Sequence, residues 1–246
     1  MRKAAVRVVG LLMVMVAFSS CTIAPVLVQE AEPEFRYPTE SFVKMTMYLD
    51  GDQVSSGSGS VIDQRDEYAV VLTAAHVCSS ERLEAMATQL GVDAEVRAHG
   101  QVAEVIDLDR RNDICLMRVN NGLEGRPALS LADSVPRPQQ TYYTVSSPLG
   151  ISSPSTGLVG IFEGKYLGIR SFRSGEGTVM RAIYAIPSAG GSSGAPIMDA
   201  EGGVVSITTH GYPGFHHATI GPNWVAFYVF VTGVLDRLDV MDEPRS

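Results

Sequence analysis

Hydrophobic and polar residues alternate over many short stretches of the chain, which is the pattern of a β-strand with one buried face. Over residues 42–49 the apolar side chains of Val43, Met45, Met47 and Leu49 share one face. Similar short stretches, bounded by Gly, Asp or Pro, recur along the chain and predict further strands at 57–62, 68–73, 94–98, 102–108, 114–119, 141–145, 166–170, 178–186 and 204–207.

Four other segments have a different character. Residues 224–231 are almost wholly apolar and predict the last strand, and residues 232–241 predict a terminal helix. Residues 81–90 predict a short surface helix. Residues 120–138 are polar and rich in turn-forming residues, so we expect them to connect two half-domains. The pattern as a whole indicates an all-β protein with a C-terminal α-helix.

The N-terminus resembles an export signal. Three basic residues lie within the first seven positions, and an apolar run over residues 8–18 follows. This run is shorter than the roughly 20 residues that a membrane-spanning helix needs. We therefore expect residues 1–20 to be a signal peptide and residues 21–38 to be a flexible, polar tether.

The end of this segment leaves the final location open. The small residues that end in Cys21 resemble the cleavage site of a bacterial lipoprotein, and a lipid on Cys21 would anchor the protein to a membrane. Cleavage after Ser19 and an N-terminal anchor that is never cleaved are the alternatives. The expected location is outside the cytoplasm: periplasmic, tethered to the outer membrane, or secreted.

Composition narrows the class of protein. Hydrophobic residues make up 45% of the 246 residues and charged residues 19%, values that indicate a packed globular core. This length suits one large all-β domain. The formal charge is −8, and the absence of a basic block argues against a nucleic-acid partner. The three cysteines are Cys21, Cys78 and Cys115.

Residues 190–196, with the sequence GGSSGAP, form a Gly-rich loop between apolar stretches and carry Ser193. Glycine lets such a loop turn sharply and point several N–H groups at one place. Those groups can stabilise the negative oxygen that forms when a serine attacks a carbonyl. A plain Gly/Ser turn is the alternative interpretation of this loop alone.

A nucleophilic serine needs a base and an acid that orients the base. His76 follows the apolar stretch 70–75, and Asp113 opens the apolar stretch 114–119. A buried carboxylate needs a partner, which the imidazole would supply. A histidine beside an apolar run is more often structural, so the interpretation depends on the combination. Asp107 and Asp109, near Arg110 and Arg111, are better explained as solvated turn residues.

These motifs together resemble the trypsin/chymotrypsin family of serine proteases. The chain has Thr-Ala-Ala-His ending at His76, Asp-Ile-x-Leu starting at Asp113, and Gly-x-Ser-Gly around Ser193, in that family's order. Residues 147–150 and 156–160 resemble the second barrel of the high-temperature-requirement serine proteases. The resemblance implies two six-stranded antiparallel β-barrels over residues 39–242.

The resemblance also implies a mechanism. Ser193 would attack a peptide carbonyl, His76 would act as general base, and Asp113 would orient the imidazole. The N–H groups of Gly191 and Ser193 would form the oxyanion hole. No metal or organic cofactor is expected. The expected function is that of a serine endopeptidase that acts on polypeptide substrates, most simply as a monomer.

The same alignment suggests where the substrate binds. Ser188, Ser206 and Thr208 would line the site, and residues 205–208 would pair with an extended substrate. Pro187 would lie at the base of the specificity pocket, where no acidic residue stands, so we expect a small or apolar P1 residue. His210 makes an acidic P1 residue a second hypothesis.

Several residues leave a choice of interpretation. Cys78 and Cys115 each lie two residues beyond a triad member and could form a disulfide in an oxidising compartment, or remain two buried thiols. His210, His216 and His217 are expected to be solvated loop histidines, since their spacing does not require a metal site.

Two positions in the nucleophile loop depart from the family pattern. Ser192 stands where trypsin-like zymogens have Asp, so the activation switch that depends on this Asp should be absent. Ala195 replaces a more common Gly and should be tolerated.

Two other functions compete with this one. An α/β-hydrolase also has a Gly-x-Ser elbow, but its triad order is Ser, acid, His and its strands alternate with helices. A catalytically silent or latent trypsin-like fold could act instead as an exported binding module. A complete triad in the sequence does not by itself distinguish this module from an enzyme.

Overall fold

Two antiparallel sheets of seven strands each, curled like half-barrels, carry most of the chain. They come from a computed structural model that describes residues 37–79, 81–150, 159–174 and 177–242. The expected signal peptide, Cys21, nearly all of the expected tether and most of 156–160 lie outside the described residues. The described chain is the chymotrypsin-like double barrel that the sequence predicts.

The first sheet uses the strands before residue 120 and has the order β5-β4-β1-β2-β3-β7-β6. Its centre is buried because β3 is apolar up to the buried Thr73 and lies between β2 and β7, each of which turns small or apolar side chains inward. The strands are β1 Phe42–Leu49, β2 Asp52–Gln64, β3 Ala69–Thr73, β4 Ala94–Ala98, β5 Gln101–Val102, β6 Glu104–Asp109 and β7 Ile114–Val119.

The second sheet begins at residue 141 and has the order β12-β11-β8-β9-β10-β14-β13. Its own core contains three buried tyrosines, Tyr142, Tyr166 and Tyr184, with ring centroids 5.2–6.2 Å apart. The strands are β8 Thr141–Ser146, β9 Gly160–Ser174, β10 Gly177–Tyr184, β11 Pro196–Met198, β12 Val204–Ile207, β13 His210–Tyr212 and β14 Phe215–Pro222.

The strand count differs slightly from the predicted six per barrel. Two very short strands, Gln101–Val102 and His210–Tyr212, lie at the edges of their sheets and bring each sheet to seven. The predicted strand 102–108 is divided into β5 and β6. Most other predicted strands agree with the structure to within a few residues, including the hairpin of β2 and β3.

The predicted last strand at 224–231 is wrong. These residues form the start of one helix, α3, Trp224–Asp242, which also includes the predicted terminal helix. Asn223 caps it, because its Oδ1 accepts the N–H of Ala226 at 3.1 Å. The run is too uniformly apolar to show a period. Only the complete helix shows a buried face, which consists of Phe227, Val231, Val234 and Leu238.

The other helices are α1, Ala75–Cys78, and α2, Glu81–Leu90, where the surface helix was predicted. Short 3₁₀ turns occupy Thr39–Ser41 and Pro148–Gly150. Within the described part of the chain, no helix combines the length and the apolar character needed to cross a membrane.

Candidate active site

His76 lies on the single-turn helix α1, which begins directly after the buried strand β3. Its neighbours Ala75 and Val77 are buried in the first barrel, whereas the side chain of His76 is 42% exposed. The apolar neighbours therefore anchor the turn, and the histidine points out of the core towards the second barrel.

Asp113 faces His76 from the start of β7. Its Oδ2 lies 2.8 Å from His76 Nδ1, and its Oδ1 accepts the backbone N–H of His76 at 3.0 Å. The side chain is 8% exposed. Asp113 also has a φ of 60°, a conformation that few residues other than glycine adopt. One buried carboxylate, on a residue with a left-handed backbone, therefore holds both the backbone and the imidazole of His76.

Electrostatics keeps this carboxylate ionised. Burial alone raises the pKa of Asp113, but the hydrogen bonds and charge of His76 outweigh it, with a smaller contribution from His210. The net pKa of Asp113 lies below its ordinary value. A negative carboxylate at this point accepts the Nδ1–H of His76, which leaves Nε2 free to accept a proton.

Two further links hold His76 and Asp113 together. A disulfide joins Cys78 on α1 to Cys115 on β7, which are 37 residues apart in sequence. From the second barrel, the buried guanidinium of Arg181 donates hydrogen bonds to the backbone carbonyls of Arg111 and Asn112, directly before Asp113. The sequence does not reveal this role of Arg181, because an arginine in a strand normally reaches solvent.

The nucleophile loop requires glycine at two positions. Gly191 has a φ of 93° and Gly194 a φ of 88°. A Cβ on Gly191 would lie 2.3 Å from the carbonyl oxygen of Ser147, and a Cβ on Gly194 would lie 2.0 Å from that of Ser58. No side chain fits in either place, so the backbone of the loop packs directly against both barrels.

The backbone N–H groups of the loop divide into two sets. Those of Ser192 and Gly194 donate to the carbonyls of Ala189 and Thr208. Those of Gly191 and Ser193 donate to no residue in the described part of the chain. The Oγ of Ser193 donates to the carbonyl of Thr209 at 3.3 Å. Two N–H groups beside the serine are thus left available for an oxygen.

A buried serine of the first barrel, Ser58, holds this loop in place. Its Oγ donates to the carbonyl of Gly191 at 2.7 Å and accepts the N–H of Ser147 at 2.9 Å. Its N–H donates to the carbonyl of Ser193, also at 2.7 Å, and its own carbonyl accepts from Thr73 Oγ1. The sequence shows Ser58 only as one of several Gly/Ser residues in a strand, with no signal for this role.

The loop also has support from its own barrel. The N–H of Leu149, in the turn Pro148–Gly150, donates to the carbonyl of Gly190. This orients the peptide that carries the N–H of Gly191. Ser192 is 2% exposed, and its Oγ accepts the N–H of Ala189 at 3.3 Å. Ser192 therefore stabilises the loop from within. Ala195 is fully buried, and its φ is not positive, so alanine fits this position.

His210 lies on the edge strand β13, against His76 and Asp113. Its ring centroid is 5.3 Å from that of His76, and its Nδ1 is 3.8 Å from Oδ2 of Asp113. Desolvation by neighbouring protein atoms lowers the pKa of His210, although 62% of the side chain is exposed, and Asp113 opposes the shift. The expected solvated loop histidine is thus part of the site.

The expected substrate residues lie at different depths. Ser206 is fully buried, and its Oγ donates to the carbonyl of Pro222. The backbone of Thr208 is bonded to Gly194 and Ala195. Ser188 has a buried Oγ without a hydrogen bond to any described residue, and it faces Gly211. The edge strand β13 begins directly after Thr209, whose carbonyl accepts from Ser193, and its first two residues are exposed.

The other acidic candidates lie elsewhere. Asp107 pairs with Arg237 of α3, and Asp109 caps the turn before Asp113 by accepting from Asn112. His217 is exposed and lies against Phe215, and the side chain of His216 is outside the described residues. The structure thus brings together His76, Asp113 and His210. Ser193 is linked to this group through the carbonyl of Thr209, the residue before His210, and not through a hydrogen bond to His76.

Comparison with solved structures supports the fold. The inactive form of a serine-to-alanine mutant of Rv3671c from M. tuberculosis H37Rv has a TM-score of 0.60 at 17% identity, covering 85% of this chain and 91% of that one. The active form of the Rv3671c protease from M. tuberculosis has a TM-score of 0.58 at 19% identity, covering 78% and 81%. The serine endoprotease from Yersinia pestis has a TM-score of 0.59 at 12% identity, covering 80% and 64%.

A search of curated proteins gave no match, and at these identities the structural likeness shows the fold alone. The sequence comparison goes further. Residues 57–207, which are more than half of the chain and include all three triad candidates, match the trypsin-like peptidase domain. The chain therefore belongs to the trypsin-like peptidase family and is a serine-type peptidase.

Proposed function

We propose that the protein is a serine endopeptidase that cleaves polypeptides through an acyl-enzyme on Ser193. The observation that carries this proposal is the arrangement of the nucleophile loop. The Oγ of Ser193 donates to the carbonyl of Thr209, the residue before His210, and His210 lies against His76. Two N–H groups of the same loop bond to no described residue. A hydroxyl, an oriented imidazole and unpaired donors are the groups that acyl transfer requires.

The chemistry follows from the positions of the protons. With Nδ1–H held by Asp113, Nε2 of His76 accepts the proton of Ser193 Oγ as the oxygen attacks the carbonyl carbon. The imidazolium then gives that proton to the leaving amine, and the acyl group stays on Ser193. A water molecule, deprotonated by His76, hydrolyses the ester and returns the enzyme to its starting state.

In this proposal the N–H groups of Gly191 and Ser193 bind the oxyanion. They cost no reorganisation during the reaction, because Ser58 and Leu149 already hold the neighbouring carbonyls. Each such donor typically contributes about 3–4 kcal/mol to the stabilisation of the transition state. The ordered loop also favours an enzyme over the catalytically silent binding module.

We place the substrate along the edge strand His210–Tyr212. This strand pairs with β14 on one side and ends its sheet on the other. An extended peptide can add to such an edge by main-chain hydrogen bonds. The backbone of residues 206 and 208 is already paired, so those residues would support this edge from behind.

Labelling with a fluorophosphonate tests the proposal. We expect the full chain to gain one adduct on Ser193, and we expect Ser193→Ala and His76→Ala to lose it. Ser171→Ala, at an exposed serine of β9, is the matched control and should label normally. A well-folded parent chain that does not label would favour the binding module instead.

We also propose that the protein works outside the cytoplasm. The basic and apolar N-terminus supports this, and a disulfide between Cys78 and Cys115 persists where thiols are oxidised. Cell fractionation with intact mass measurement tests it. A mass increase that Cys21→Ala abolishes would identify a lipid anchor, and cytoplasmic protein of full length would contradict export.

A further inference from the structure

Three side chains that can bind a metal ion meet at the mouth of the candidate site: His76, Asp113 and His210. One ligand atom of each lies within 4.8 Å of those of the other two. Both Nδ1 atoms face the same carboxylate oxygen, Oδ2 of Asp113, at 2.8 Å from His76 and 3.8 Å from His210. No other group of three such residues occurs in the described ranges.

The distances fit a small divalent ion. Zinc binds nitrogen and oxygen ligands at about 2.0–2.1 Å in tetrahedral geometry, which places the ligand atoms roughly 3.3 Å apart. The two observed separations lie about half an ångström on either side of this value. The exposed side chain of His210 is free to adjust by that amount.

The ligand types and their exposure point the same way. Two imidazoles with one carboxylate form a donor set that suits zinc and other transition metals and leaves further coordination positions open. The two imidazoles are 42% and 62% exposed, so an ion can reach them from solvent. Asp113 makes no ion pair with a lysine or arginine among the described residues. Arg181 acts on it only through longer-range electrostatics, so no lysine or arginine blocks the carboxylate from a cation.

We propose that His76, Asp113 and His210 bind Zn²⁺ or a similar divalent transition metal, and that the bound ion switches the peptidase off. The inhibitory part rests on the proposed function of Ser193. With the metal on Nδ1 of His76, the single ring proton moves to Nε2 by exchange with solvent. The ring stays neutral, but Nε2 can no longer accept the proton of Ser193, so the serine is not activated.

Metal binding can be measured without catalysis. Zinc chloride is titrated calorimetrically into the full, untagged chain carrying Ser193→Ala, alone and combined with His210→Ala, His210→Gln or the control His217→Ala. We expect one ion per chain. Both His210 substitutions should weaken binding at least about tenfold, since even residues behind the ligands contribute 10–100-fold. His217→Ala should bind like the parent, and equal binding by all variants would overturn the site.

Inhibition is measured separately, by fluorophosphonate labelling of the chain with its serine intact. Zinc should suppress labelling, a chelator should restore it, and His210→Ala should need about tenfold more zinc, relative to its own zinc-free rate. Zinc that binds through His210 without affecting labelling would overturn the switch. A chain that binds zinc through His210 but never labels, even with chelator, would keep the metal site and refute the proposed function.

Discussion

The two halves of the candidate site are held in different ways. In the first barrel, His76 and Asp113 are linked by two hydrogen bonds and by the disulfide between the elements that carry them. In the second barrel, Ser193 lies on a loop without covalent support, held by backbone contacts and by a hydroxyl of the opposite barrel, Ser58.

Two requirements of the chemistry, an oriented base and a positioned nucleophile, therefore depend on different parts of the structure. The base and its acid form one local unit, whose geometry depends mainly on the first barrel. The nucleophile and its N–H donors depend on how the two barrels pack, because Ser58 and Gly194 meet only across that interface. Loss of the contact between His76 and Asp113 should therefore abolish catalysis, whereas loss of the disulfide behind it, or of a contact between the barrels, should lower catalysis by degrees. Four predictions test this, from the largest expected effect to the smallest.

Asp113→Asn should reduce kcat/KM by about 10⁴-fold, because the amide favours the wrong tautomer of His76 while preserving its shape. Hydrolysis of a chromogenic active ester measures this. Asp133→Asn, at an exposed position, is the control and should change little. A loss of less than about tenfold would mean that Asp113 does not orient the base.

Replacing both Cys78 and Cys115 by alanine should lower the free energy of unfolding by about 3–4 kcal/mol. The bond closes a 37-residue loop, and its loss increases the entropy of the unfolded chain. Urea denaturation measures the change. Activity per folded molecule should fall less than in Asp113→Asn, because both hydrogen bonds between His76 and Asp113 remain. An equal fall would mean that the disulfide, and not these hydrogen bonds, holds the base and its acid together.

Ser58→Ala should lower kcat about 10- to 100-fold with little change in KM. The substitution removes the hydrogen bond that Ser58 Oγ donates to the carbonyl of Gly191 and the one it accepts from the N–H of Ser147. This costs about 1–3 kcal/mol and loosens the loop that carries the oxyanion donors.

Ser60 provides a matched control for Ser58. It lies two residues further along the same strand and is equally buried, but its Oγ has no hydrogen-bond partner among the described residues. Ser60→Ala should therefore retain full activity. If the two variants lost activity equally, the effect would come from packing and not from the hydroxyl of Ser58.

The pH dependence of stability should show a smaller effect from Asp113. Its pKa is lower in the folded protein than in the unfolded chain, so its stabilising contribution is present above the unfolded pKa of about 4. That contribution is lost as the pH falls through the folded pKa. Urea unfolding at a series of acidic pH values should give a flatter profile for Asp113→Asn, and parallel profiles would contradict the shift.

Much of the fold could be predicted because strand periodicity is a local property. Strand β1 alternates, and β3 and β7 are mostly apolar, over short and clearly bounded stretches. Residues 224–231 misled the prediction for the same reason, since a uniformly apolar run of that length fits a strand or a buried helix. The cap at Asn223 and the packing of the complete helix decided between them.

The sequence by itself determined the family and the three triad candidates, because their motifs are local and occur in a characteristic order. Tertiary structure decided what surrounds them. Ser58, Arg181 and His210 reach the site from strands distant in sequence, and a serine, an arginine or a histidine in a strand has no pattern that reveals its partner. Such partners are set by how the two barrels pack, and packing depends on residues throughout the chain.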